Sequence, residues 1–381
     1  MGENNNISSK TSFECSGCTA CLNGCPRNAI SMKSDSMGFK YPYVDDNLCN
    51  SCGKCLLLCP FKDNKKLAYN QHYYAIRHKD EGALSQSQSG GAFVILSDYI
   101  LEQGGVVYGV GLDNRFLAIH KRATNKDERD EFRYSKYIQS DLGGIFKLVK
   151  DDLGQGKLVL FTGTPCQVAG LNSFLNLSLK DNLYTIDLIC HGVSSPALWG
   201  KYLDYIKAKY GTFQSVLFRD KSIGWKSHKE SFIYNDHKVT RKTFASLFYS
   251  SLALRKSCYN CHFTNFSRPS DITIADLWGW KNIPDELNDN KGISIALINS
   301  EKGSFLFNKA KKDHFCQEIE QQDFDQPQLH SSVPLPSNRD LFEEEFALKG
   351  FKYIGIKYAD LGIIAKIKDV LRPIYHKIKK I

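Results

Sequence analysis

The chain is poor in several signals that would narrow its function. It has no run of eighteen or more apolar residues, so no spanning helix is expected. Its first ten residues, MGENNNISSK, lack an apolar stretch of the kind that directs export. No GxGxxG and no GxxxxGK[ST] occurs, so the standard dinucleotide and P-loop fingerprints are missing. Charge of one sign is scarce outside the tail. The net +9 is concentrated from Gly362 to Ile381, where six Lys or Arg stand against Asp369 alone. The rest is near balance, which gives a nucleic-acid partner little support.

Cysteine, by contrast, is plentiful. There are thirteen in 381 residues. Without an export signal the expected compartment is the reducing cytoplasm, where clustered thiols read as metal or redox ligands rather than disulfides. Cys15, Cys18, Cys21 and Cys25, followed by Pro26, recur 34 residues later as Cys49, Cys52, Cys55 and Cys59, followed by Pro60. Three thiolates at three-residue spacing point inward from one tight loop onto one iron–sulfur cube, and the fourth reaches the other cube. The spacing therefore assigns Cys15, Cys18, Cys21 and Cys59 to one 4Fe–4S cluster, and Cys49, Cys52, Cys55 and Cys25 to a second. Proline turns the chain away after the last ligand. Two four-cysteine zinc sites are the bland alternative, but zinc modules usually separate their C-x2-C pairs by a longer loop. A bacterial two-cluster ferredoxin has this pattern, here over roughly Phe13 to Ala68.

Beyond Tyr69 the pattern becomes α/β. SGGAFVILSDYILEQGG reads as a turn, a helix from about Phe93 and a glycine stop. VVYGVGLD reads as a strand. KLVLFTGTPCQVAGLNSFL and LYTIDLICHGVSSPALWGKYLDYIKAKYG each read as strand, turn and helix, which indicates a largely parallel sheet. SVLFRD, SFIYND and DITIADLWG add strands that can be antiparallel. The fold class expected is an α+β ferredoxin-like N-terminal domain followed by an α/β domain with a mixed, partly parallel sheet. The expected divisions are a disordered 1–12, a ferredoxin domain over 13–70, a reductase domain over 71–345 and a basic amphipathic tail over 346–381.

Cys166 and Cys190 each follow a buried strand, at the edge where open α/β sheets place ligands. Cys258 and Cys261 form a C-x2-C pair able to complete the set, so these four are expected to hold a third 4Fe–4S cluster. As ordinary buried thiols they would be small hydrophobes. Cys316 falls in a charged stretch, KKDHFCQEIE, read as helical and not as a ligand. Clusters carry single electrons and most metabolites change by two, so a flavin is the natural companion. Ser89, Gly90 and Gly91 are candidate phosphate contacts, where a turn opens a helix. TGTP at Thr162, Gly163, Thr164 and Pro165 is a second candidate.

A family resemblance gathers these pieces. SGG at Ser89 to Gly91, GGVVYG at Gly104 to Gly109 and SKYIQSDLG at Ser135 to Gly143 come first. GTPCQVAGL at Gly163 to Leu171, DLICHGV at Asp187 to Val193, FRDKSIGWK at Phe218 to Lys226, CYNC, and SDITIADLWG at Ser270 to Gly279 follow. With the ferredoxin head, the chain from roughly Phe13 to Ser300 resembles the beta-subunit family of coenzyme F420 hydrogenases and dehydrogenases. The resemblance implies an FAD-binding iron–sulfur reductase, with Cys166, Cys190, Cys258 and Cys261 as cluster ligands. It implies a flavin region including Ser89, Gly90, Gly91, Lys136, Tyr137, Thr164 and Gln167. Members reduce the deazaflavin coenzyme or other substrates, and some bacterial relatives accompany surface-polysaccharide genes. The small-molecule substrate stays open, because such sites are regrafted on one fold.

Near the flavin, His191 is a candidate proton donor, or else only a hydrogen-bond donor to a sulfur or a carbonyl. Lys136 is a candidate for stabilising the flavin, or else a surface charge. Asp276 either binds a flavin or substrate hydroxyl or caps a turn. Trp225, Trp278 and Trp280 either line a planar cofactor or belong to the core. In the tail, Ile363, Ile364, Ile367, Val370, Leu371, Ile374 and Ile378 form one apolar helical face flanked by lysines. It suits peripheral contact at the inner face of a membrane or a partner's groove, and suits still better docking on the protein's own core. The leading expectation is an enzyme receiving electrons from a ferredoxin-like donor. The others are an electron-transfer subunit of a larger complex and a scaffold with structural clusters.

Overall fold

A computed structural model of the chain describes residues 5–61 and 70–362. The head holds one antiparallel hairpin, Ile30–Ser34 (β1) with Lys40–Val44 (β2), and two short helices, Ala20–Gly24 and Lys54–Leu57. The 34-residue repeat is conformational as well as chemical. Gly17 and Thr19 take left-handed backbone at φ 69° and 63°, and their counterparts Ser51 and Gly53 do so at 54° and 71°. Each run bends twice in the same places, and the glycine that eases one bend sits at a different position in each. Residues 5–12, expected to be disordered, are built into the head: Ile7 is buried with Cys21, Ile30, Val44 and Cys55, and Ile7–Ser9 forms a helical turn.

The body is built on an eight-stranded sheet. Its strands are His72–Arg77 (β3), Val106–Leu112 (β4), Ala118–Ala123 (β5), Val159–Thr162 (β6), Leu183–Leu188 (β7), and three later ones. After a separate antiparallel sheet of Ser215–Leu217 (β8), Glu230–Ile233 (β9) and Lys238–Arg241 (β10) come Ile272–Asp276 (β11), Ser294–Ile298 (β12) and Phe315–Ile319 (β13). The order of the large sheet is β13-β3-β12-β11-β7-β6-β4-β5. β4, β6, β7 and β11 run parallel, and the flanking pairs are antiparallel, so the sheet is mixed and partly parallel as expected.

Both faces are covered, which is why these strands read as continuous apolar runs. Val107 and Leu160 pack on one face beside Ile95 and Ile100 of the Ala92–Glu102 helix. Val106, Val159 and Phe161 pack on the other beside Val149 and Leu171, from the Ile145–Gly154 and Pro165–Phe174 helices. Two expectations are corrected. The stretch around Cys316 is strand β13, not a helix, because Phe315–Ile319 pairs with β3 along its whole length and forms the edge of the sheet. The boundary at 345/346 falls within a helical stretch, Arg339–Tyr358, broken at Gly350, and Phe346, Phe351 and Ile354 are buried in the body. The apolar tail face from Ile363 onward lies outside the described residues. Among the described residues no helix is long and apolar enough to cross a membrane.

The head is seated on the body. Met37 and Phe39, from its hairpin turn, join a core of Leu198, Trp199 and Phe218. Asn23 Nδ2 donates to Gly143 O at 3.1 Å, and Gln139 Nε2 donates to Ser16 O at 3.0 Å.

Candidate iron–sulfur and flavin sites

The head's thiols surround two cavities. Cys15, Cys18, Cys21 and Cys59 line the first. Cys25, Cys49, Cys52 and Cys55 line the second. These are the two sets the spacing predicted, with Cys25 and Cys59 crossing over. Backbone and side-chain N–H groups meet the sulfurs: Ala29 N lies 3.4 Å from Cys25 Sγ, Ser51 N 3.4 Å from Cys49 Sγ, and Asn6 Nδ2 3.9 Å from Cys49 Sγ. Such donors favour thiolate, the ligand form. Among the described residues no three Cys, His, Asp or Glu side chains converge on a point for one metal ion. The thiols stand around a space instead, as a cluster requires. The two cavities differ in exposure: Cys18 and Cys21 are buried, whereas Cys52 is exposed.

In the body the sheet gathers four more thiols. Cys166 lies in the first turn of the helix after β6, and Cys190 lies two residues past β7. Cys258 and Cys261 lie in and just after the turn Lys256–Asn260. That turn is tied to the Cys190 loop: Arg255 N donates to Val193 O at 3.0 Å, and Cys258 N to Arg255 O at 2.9 Å. A Cβ on Gly192 would already touch Cys258 Cβ at 3.4 Å. Burial pushes Cys258 up to about 12 and Cys261 to about 11, and Cys190 well above its usual range, with the neighbouring thiols of the set adding to each. Ionised together, four thiolates placed so close would need cationic compensation.

The first head cavity and the body thiols adjoin. A Cβ on Gly170 would lie 2.9 Å from Cys18 Sγ, so only glycine lets the head's thiol lie against the helix that carries Cys166. Phe61 packs edge-on to Phe263 at 5.8 Å, with Cys59, Cys166 and Cys261 against the pair.

The flavin candidates share the carboxyl edge of the sheet, but most of their side chains are committed elsewhere. Ser89 Oγ donates to Ile293 O at 2.7 Å, and Thr162 Oγ1 to Tyr108 O at 2.9 Å. Gln167 accepts from Thr164 N at 2.9 Å and donates to Ser140 Oγ at 2.9 Å, capping its own helix. Asp276 accepts from Arg219 at 2.6 Å and from Trp225 Nε1 at 2.5 Å. Lys136 Nζ donates to Glu131 O and Arg133 O, and burial pulls it down to about 7. Gly163 N donates to Ile186 O at 3.1 Å. Gly90 admits no Cβ, since Ile76 O would lie 2.3 Å away, and Gly91 opens its helix at φ 85°. Thr164 Oγ1 lies 3.2 Å from Cys166 Sγ. Tyr137 stacks on Phe248 at 4.6 Å. His191 lies against Phe248, with Nε2 3.2 Å from Ser251 Oγ, and burial lowers its pKa. Trp225 stacks on Trp278 at 4.4 Å. Trp280 is buried in the core.

Four important residues were not singled out from the sequence, although Arg219 and Lys221 lie in the FRDKSIGWK stretch. Arg268, 1% exposed, pairs with the fully buried Asp187 at 3.1 Å and donates to Leu188 O and Phe263 O, which pins the Cys261 loop to β7. Arg219 holds Asp276. Lys221 Nζ donates to Ser89 O at 2.7 Å. Arg255 joins head to body. A basic residue three places before Cys258 was visible, but its burial was not.

Parts of the chain match known proteins. Residues 156–323 match the family described as the C terminus of the coenzyme F420 hydrogenase/dehydrogenase beta subunit. Residues 14–62 match the 4Fe–4S dicluster domain. Over 43 residues the chain is 42% identical to the ferredoxin-type protein NapF of Haemophilus influenzae, covering 11% of this chain and 24% of that protein. Over 49 residues it is 37% identical to the ketoisovalerate oxidoreductase subunit VorC of Methanothermobacter marburgensis, covering 12% of this chain and 62% of that one. The chain thus spans less than two thirds of either relative. A chain of the F420-reducing NiFe hydrogenase complex from Methanosarcina barkeri aligns with a TM-score of 0.47 at 17% identity, over 76% of this chain and 91% of that one. By its matched regions, the chain is similar to the C terminus of the coenzyme F420 hydrogenase/dehydrogenase beta subunit over residues 156–323 and carries a 4Fe–4S dicluster domain at its head.

Proposed function

We propose that this protein is an iron–sulfur flavoprotein oxidoreductase, taking electrons from a ferredoxin-like donor and delivering them to a small organic substrate, in the cytoplasm. The observation that carries the reading is the adjacency of three four-thiol groups, from the exposed rim at Cys52 to the sheet edge at Cys190. In this reading Cys15, Cys18, Cys21 and Cys59 hold one 4Fe–4S cluster, Cys25, Cys49, Cys52 and Cys55 another, and Cys166, Cys190, Cys258 and Cys261 a third. When bound, the clusters supply single-electron transfer, and FAD supplies conversion to two-electron chemistry.

The residues do the holding. The backbone N–H groups opening the Ala92–Glu102 helix, reached past Gly90 and Gly91, are the contacts for FAD phosphate. Tyr137 and Thr164 are the remaining flavin contacts whose placement suits the role. Lys136, held down to about 7 by burial, and His191 are the groups able to hold or release a proton near neutral pH. Surface-polysaccharide biosynthesis is the pathway class that the family resemblance suggests.

A second reading is an electron-transfer subunit whose substrate site lies on another chain. One observation favours it: Ser89, Thr162, Gln167 and Asp276 already spend their side chains on internal partners. Anaerobic reconstitution with iron, sulfide and FAD separates the two. Retained flavin that reoxidises with the deazaflavin coenzyme, a pyridine nucleotide or a sugar nucleotide supports the enzyme. Protein that loads iron and retains no flavin is the electron-transfer subunit.

A further inference from the structure

Among the described residues, four arginines are buried to below 2% exposure: Arg129, Arg219, Arg255 and Arg268. A buried cation normally keeps a carboxylate beside it. Arg129 has Asp98, Arg219 has Asp276 and Arg268 has Asp187. Arg255 is different. Its Nε donates to Cys15 O at 2.8 Å, one terminal nitrogen to Gln139 Oε1 at 2.8 Å, and the other to Lys40 O at 3.0 Å and Cys15 Sγ at 3.7 Å. Its guanidinium lies over the Tyr41 ring at 4.1 Å and near Phe39 at 5.6 Å. Every oxygen partner is neutral, so the missing counter-charge must come from the sulfur side. Gly17 makes the approach: a Cβ there would lie 2.8 Å from Gln139 Nε2 and 3.1 Å from Arg255.

We propose that Arg255 is the fixed positive charge between head and body, balanced by the thiolate-bound clusters on its two sides, and that it raises the reduction potential of the cluster held by Cys15, Cys18, Cys21 and Cys59. The proposal rests on the cluster reading above. Each one-electron reduction adds a negative charge to the cluster, and a nearby cation stabilises that added charge. The same residue is tied to the body thiols through its backbone, where Cys258 N donates to Arg255 O at 2.9 Å. Arg255 is a positioning residue: it touches a ligand and carries no electron.

The test is a redox titration followed by electron paramagnetic resonance on full-length, anaerobically reconstituted protein. In Arg255→Gln the reduction equilibrium of that cluster shifts at least tenfold toward the oxidised form, about 59 mV for one electron, at unchanged iron content. The cluster of Cys25, Cys49, Cys52 and Cys55 keeps its potential. Arg255→Lys keeps the charge and recovers most of the shift. Mere loosening of the interface would admit water around an anionic cluster and raise its potential, the opposite sign. An unmoved or raised potential in Arg255→Gln at full loading overturns the proposal alone. Should Arg255→Gln fail to load, restoration of loading and potential by Arg255→Lys supports it, and failure of lysine to restore them overturns it. Absence of iron from the unaltered protein overturns the cluster reading and this proposal with it.

Discussion

The head and the body gather thiols in opposite ways. In the head, eight cysteines lie between Cys15 and Cys59, and short loops with matched left-handed bends aim them at two cavities. In the body, Cys166 and Cys190 come together because parallel strands end along one edge, and the turn carrying Cys258 and Cys261 is tied to the Cys190 loop. The head's geometry is local and the body's is topological. A local site depends on a few backbone angles, whereas a topological one depends on the packing of the whole sheet. Damage to the body's packing should therefore cost its thiol site while the head keeps its own.

The sharpest break in that comparison is Cys258→Ser. It should remove about four of about twelve irons per chain and leave the head's complement intact, as metal analysis of reconstituted protein would read. Loss from both regions would mean that the sites are not separate.

Arg268→Met comes next. It leaves Asp187 buried without its cation and unties the Cys261 loop from β7. We expect a loss of about 3–5 kcal/mol in denaturant unfolding, with body iron lost before head iron.

Acid should separate the regions almost as clearly. His120 is buried, with Nε2 3.2 Å from Thr162 O and Nδ1 3.1 Å from Ser140 Oγ, and burial holds its pKa down to about 4. Between that value and the ordinary 6.5, the folded body keeps the ring neutral while the unfolded chain takes up a proton. Body stability is therefore full above that window and falls as pH drops through it, by up to ~3 kcal/mol. The described head, residues 5–61, contains no histidine. His120→Gln should lessen the body's loss of stability across that window, and an unchanged profile would contradict the assignment.

Gly170→Val is the mildest. Its branched side chain meets Cys18 at the junction and should cost about 1–3 kcal/mol by overpacking. The two regions should then separate in limited proteolysis, each still loading iron.

Legibility in the sequence follows the same division. The eight head cysteines could be paired across the repeat because spacing alone decides which thiols one loop can present. Cys166 and Cys190 could be placed because each lies just past an apolar strand that leads into a helix. Partners set by long-range packing were not readable. Asp276 looked available to a ligand, yet Arg219, 57 residues away in sequence, holds it. Gln167 looked like a cofactor contact and is a helix cap. FCQEI looked helical from its charged flanks and became an edge strand, because β3 offered it an unpaired backbone. Arg255 drew no reading from the sequence and is fully buried.

Three groups of four thiolates are what the proposed function requires of this chain. Iron and acid-labile sulfide measured together on anaerobically purified, reconstituted full-length protein should each come to about twelve per chain, with zinc at trace level. Stoichiometric zinc without sulfide would contradict it.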